Sequence, residues 1–139
     1  MTESHLRRLA VTMRQLEDAL LDIESALDEP IALAMTIYED DVPHSVRAAV
    51  RERIGRLRDE ICAMKERYVL DEQIISNRRR ISTKLTLLSI DLTEATSPYM
   101  RAYGEVPKEE QRQLDDAILK LIAIVDGLNT LIGRGGPNC

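Results

Sequence analysis

The chain contains no Trp and no Phe, and its only aromatic residues are Tyr38, Tyr68, Tyr99 and Tyr103. A core made from it is therefore Leu, Ile, Val, Ala and Met. Such a core packs helices well and offers little aromatic wall for a planar ligand. Nothing in the chain calls for a cofactor. Cysteine is scarce: Cys62 and Cys139 are the only two, and neither belongs to a Cys-x-x-Cys pair, so no zinc-knuckle or dithiol redox spacing exists. There are two histidines, His5 and His44. Asp41 and His44 have the spacing of a carboxylate-x-x-His pair, but Pro43 breaks the helix that would aim both inward. A di-iron bundle needs two such motifs and two further carboxylates, so no metal site is expected.

Long apolar runs are missing as well. The densest, Ala117–Val125, contains Lys120, and none approaches the ~20 residues of a membrane span. The polar opening, followed by Arg7 and Arg8, lacks the apolar centre of a signal peptide. These absences predict a cytoplasmic protein with no membrane partner. No Gly-x-Ser-x-Gly elbow or phosphate-cradling glycine loop is present, so no enzyme is expected.

What the 139 residues do contain is periodicity. The chain is 44% hydrophobic and 31% charged, which suits a folded domain with a modest core. Leu6, Leu9, Met13, Leu16, Leu20, Ile23 and Leu27 recur at alternating three- and four-residue steps. Leu114, Ile118, Leu121, Val125, Leu128 and Ile132 do the same. Between them run Val50, Ile54, Leu57, Ile61, Met64 and Tyr68, then Ile74, Ile81, Leu85, Leu88, Leu92 and Ala95. Such seams belong to helices packed side by side.

Local signals set the boundaries. Thr2 or Ser4 caps a first helix that ends at Leu27, because Pro30 biases Glu29 away from helical angles. A short helix is expected over 31–39. From Ser45 to Thr96 there is one glycine, Gly55, and no proline. One heptad phase persists through 50, 57, 64, 71, 78, 85 and 92, while its companion slips by one residue at Ile74 and Ile75. This predicts one continuous central helix, with Asn77 the credible point for a reversal if the chain turns near 70–80. Pro98 ends that helix. Pro107 introduces the last one, and Gly133 is its expected stop.

The predicted fold is all-α: an elongated bundle or coiled coil with a central helix over about 45–96, flanked by two shorter helices. One domain covers 1–132, and 133–139 form a flexible tail. The central helix would span ~75–80 Å at ~1.5 Å per residue. Each half would then be two helices thick and leave apolar surface open. Ala117, Ile124 and Leu131 widen the stripe of the last helix beyond its seam. A second copy in twofold symmetry would complete the cross-section.

The net charge of −5 is unevenly placed. Residues 1–44 hold 3 basic and 10 acidic side chains, 45–84 hold 11 and 6, and 85–139 hold 5 and 8. The basic middle, with Arg47, Arg51, Arg53, Arg56, Arg58 and Arg78–Arg80, raises nucleic-acid binding as one reading. Interleaved Glu and Asp at helical spacing, and the lack of aromatic platforms, point instead to a charge-matched bundle. Asp71 and Arg78 occupy seam positions that should be apolar, and are expected to form a register-setting polar layer.

The stretch His44-Ser-Val-Arg-Ala-Ala49 resembles the His-x-x-Lys-Gly motif of histidine phosphotransfer domains, which are also helical bundles. Arg47 stands where that family has Lys, and Ala48 where it has the Gly that exposes the histidine. The resemblance implies a phosphorylatable His44 and covers six residues. The leading expectation is different: a homodimeric helical module for protein–protein interaction, such as an adaptor, scaffold, secretion-chaperone-like or regulatory protein. Its partner is a second copy or another helical protein.

Overall fold

The computed structural model describes residues 1–28 and 32–134. The protein is all-α, with five α-helices and one 3₁₀ turn among those residues, and no strand. Where one domain over 1–132 is expected, the chain divides into two compact units, Met1–Gln73 and Ile74–Cys139.

The first unit is an antiparallel helical hairpin. Helix α1 runs Glu3–Leu27. The His5 amide donates to Thr2 Oγ1 at 3.2 Å, and the Thr2 amide donates to His5 Nδ1 at 3.1 Å. This reciprocal cap satisfies two amides that the first turn leaves without helical partners. Helix α2 runs His44–Tyr68, directly after Pro43. Leu20, Ile54 and Ile61 are buried between the helices, and Met13, Leu16 and Val50 pack against them. Ala10, Leu27 and Leu70 are buried too.

The short helix expected over 31–39 does not form. Ile31 lies outside the described residues. Ala32 and Ile37 form an isolated antiparallel bridge, and the Leu33 amide donates to the Thr36 carbonyl at 3.2 Å. Residues 32–41 are all exposed. A helix of nine residues needs a packed face to persist, and this segment has none.

The continuous helix over 45–96 is interrupted by eight residues. Val69 adopts the left-handed conformation, φ 50 and ψ 56. Its amide and that of Leu70 both bond the Lys65 carbonyl, which closes α2 as a Schellman motif. Leu70 turns inward and is buried. The Arg14 guanidinium holds the Asp71 carbonyl at 2.8 Å, and Lys65 pairs with Glu72. Helix α3, Asn77–Glu94, then starts afresh, with Ser76 Oγ accepting from the Arg79 amide. Asn77 is thus the first residue of a helix and not the reversal point. The heptad slip at Ile74 and Ile75 falls inside the break.

The second unit pairs α3 with α5, Lys108–Arg134. Between them lie α4, Ser97–Met100, and a 3₁₀ turn, Arg101–Tyr103. Gly104 follows at φ 119, a region that favours glycine. The Pro107 carbonyl accepts from the Glu110 and Gln111 amides at the start of α5. Gly133, the expected stop, lies inside α5. The rest of the expected tail, 135–139 with Cys139, lies outside the described residues. Hydrogen bonds Ser82–Asn129, Ser89–Asp126 and Ser97–Asp115 show that α3 and α5 run antiparallel. No apolar residue of this unit is buried among the described residues; only Ser97 is.

Candidate functional site

The singled-out side chains do not converge. His44 is exposed in the first turn of α2. Arg47 is half-buried and fully engaged: it donates to the Leu27 carbonyl at 2.6 Å and the Val42 carbonyl at 3.0 Å, and pairs with Asp40. It fastens the end of α1 and the loop before Pro43 to α2. Asp71 lies in the segment between α2 and α3, and Arg78 in the first turn of α3; both are exposed. The heptad phase that would join them as one layer needs an unbroken helix, and the left-handed turn at Val69 removes it. Cys62 is an exposed free thiol.

The basic run of α2 is met by acids within the chain. Arg51 lies 3.8 Å from Asp28 and Arg56 3.5 Å from Glu52, while Arg58 pairs with Glu24. Among the described residues, no group of three or more His, Cys, Asp or Glu could hold a metal ion. No helix of the described residues is long and apolar enough to cross a membrane.

Two carboxylates have shifted titration. The Ser97 hydroxyl donates to Asp115 at 2.6 Å and the Ser97 amide at 2.7 Å. These bonds hold the Asp115 carboxyl below its usual range. The hydrogen bond from Lys65 lowers Glu72, and the same bond raises Lys65.

The most unusual surface belongs to the α3–α5 pair. In heptad letters, the face of α3 toward α5 is its a and e positions: Leu85 and Leu92 with Ser82 and Ser89. These are half-buried. On α5 the matching a and e positions are Ile118, Val125 and Ile132 with Asp115, Ile122 and Asn129, also half-buried. Most d and g positions stay open, while Ala95 and Leu114 are half-buried. Ile81, Leu88, Leu121, Ile124, Leu128 and Leu131 are each 45–60% exposed. Because the helices run antiparallel, their d and g edges fall on the same side of the pair. The result is one open face, apolar along α5 and, on α3, apolar at Ile81 and Leu88 with the charged Lys84 and Asp91 beside them. Large apolar side chains gathered on one side of a helix pair mark a contact surface more than singly scattered ones do.

Part of this organisation was readable as a widened stripe at Ala117, Ile124 and Leu131. The division of each helix into a used and an open flank was not, because apolar spacing alone does not say which flank meets the neighbour. The exposed hairpin tip, with Leu33, Met35, Ile37 and Tyr38, also escaped sequence reasoning, which placed a helix there. No family model, no curated protein and no solved structure matches the chain.

Proposed function

We propose that this chain is a non-enzymatic, cytoplasmic module for protein–protein interaction that works as a homodimer. The observation behind this reading is the second unit: two long helices, no buried apolar residue among those described, and six large apolar side chains left exposed on one side of the pair. A two-helix hairpin with such a face has the character of half a four-helix bundle. A coiled-coil-like pairing of helices across the copies would cover it. The exposed apolar tip between α1 and α2 is a separate surface suited to another helical protein in the helix-in-groove manner.

The two other readings draw less from the geometry. In the phosphotransfer reading Arg47 takes the place of the family's lysine, yet its guanidinium is already committed to three intrachain oxygens. In the nucleic-acid reading the arginines would contact phosphate, yet Arg51, Arg56 and Arg58 face carboxylates.

Light scattering of the full chain tests the proposal. The expected mass is twice the 15.8 kDa of one chain at micromolar concentration, falling toward one chain on dilution. A monomer at every concentration would overturn it.

A further inference from the structure

We infer that the second copy docks on the α3–α5 face with α3 lying antiparallel on α3 and α5 antiparallel on α5, about one twofold axis near Leu88 and Asp126. This rests on the homodimer reading and names the surface and geometry of its contact.

Charge on α3 sets the orientation. The open edge of α3 reads Ile81, Lys84, Leu88, Asp91 at alternating steps of three and four, and the half-buried cap residue Ala95 continues the spacing. Lys84 and Asp91 are opposite charges placed evenly about Leu87 and Leu88. Both are exposed, and neither has an ion pair among the described residues. An antiparallel copy centred beside Leu88 brings Lys84 of one copy to Asp91 of the other, twice per dimer. It also lays Leu88 near its own equivalent and Ile81 toward Ala95. A parallel copy in register would face Lys84 with Lys84 and Asp91 with Asp91, which is repulsive. Charges at g positions select orientation in this way.

The second helix gives an independent centre. On α5 the open edge reads Leu121, Ile124, Leu128, Leu131, which is symmetric about Asp126. An antiparallel copy centred there matches Leu121 with Leu131 and Ile124 with Leu128. Nothing in the sequence obliges the two centres to coincide, yet the fold brings them level. Ser89, next to Leu88, is hydrogen-bonded to Asp126, and Ser82 to Asn129. One axis therefore serves both helices, as a twofold contact between rigid hairpins requires. The self-match of charge and of apolar spacing commits the face to a second copy, rather than to the first unit of the same chain or to a foreign helix.

Sedimentation velocity on charge-reversed full-length chains decides it, with circular dichroism confirming unchanged helix content. Lys84→Glu alone and Asp91→Lys alone should each weaken self-association by about tenfold, since each places like charges together twice per dimer. An equimolar mixture of the two variants should recover the wild-type association, because every pair in the mixed dimer is again opposite. If the wild type dimerises but the single reversals change nothing, or the mixture stays as weak as its components, this contact is overturned while the homodimer stands. If the wild type is a monomer throughout, both are overturned.

Discussion

Among the described residues, Val69 carries the least comfortable backbone. A β-branched residue in the left-handed region costs about 1–2 kcal/mol, and its side chain, 83% exposed, gains little burial in return. Val69→Gly should therefore raise stability by about 1 kcal/mol, read from a thermal melt, after allowing for glycine's greater unfolded freedom. Leu20 is the opposite case, 2% exposed at the centre of the α1–α2 contact; Leu20→Ala should cost about 2–4 kcal/mol in urea unfolding. Asp115 predicts a pH effect of definite sign. Its folded carboxyl titrates below the ordinary value of about 3.9, so its contribution is present above that value and disappears as pH falls through the lowered one. Urea midpoints between about pH 5 and pH 2 should drop less steeply for Asp115→Asn than for wild type. None of these three roles was visible in the sequence except Leu20, which sits on the seam. Val69 looks like a helix or strand residue anywhere, and Asp115 acquires its meaning only from Ser97, eighteen positions away.

At the scale of elements, the boundaries set by local chemistry were legible and those set by tertiary contacts were not. Thr2, Pro43 and Pro107 announce α1, α2 and α5 through capping and fixed φ, which are local chemistry. The end of α2 depends instead on Leu70 finding a buried place and on Arg14 reaching Asp71 from another helix. Those are tertiary causes, and a count of heptads cannot register them. The loop before α2 shows the same dependence. Arg47 ties the end of α1 and the loop together through Leu27, Val42 and Asp40. Arg47→Ala should destabilise the protein by about 2 kcal/mol, since it strands the partly buried Leu27 carbonyl. Arg47→Lys should recover only part, because an ammonium lacks the planar fork that reaches several oxygens at once. Urea unfolding of the three proteins checks both.

For the whole molecule, apolar spacing correctly marked the chain as all-α, because a 3.6-residue period survives any uncertainty about where helices stop. It did not disclose the two compact units, since the separating turn contains neither glycine nor proline. The proposed assembly makes the melting temperature of the full chain rise with its concentration, because association stabilises only the folded form. A melting point unchanged over a hundredfold concentration range would contradict it.

Serine hydroxyls form rungs between α3 and α5, Ser82 donating to the Asn129 amide oxygen and Ser89 to the Asp126 carboxylate. Grease tolerates sliding, whereas directional bonds do not. Shifting one rod past the other by a single turn would unhook these rungs together. The pair is keyed, and so it always shows a visitor the same side.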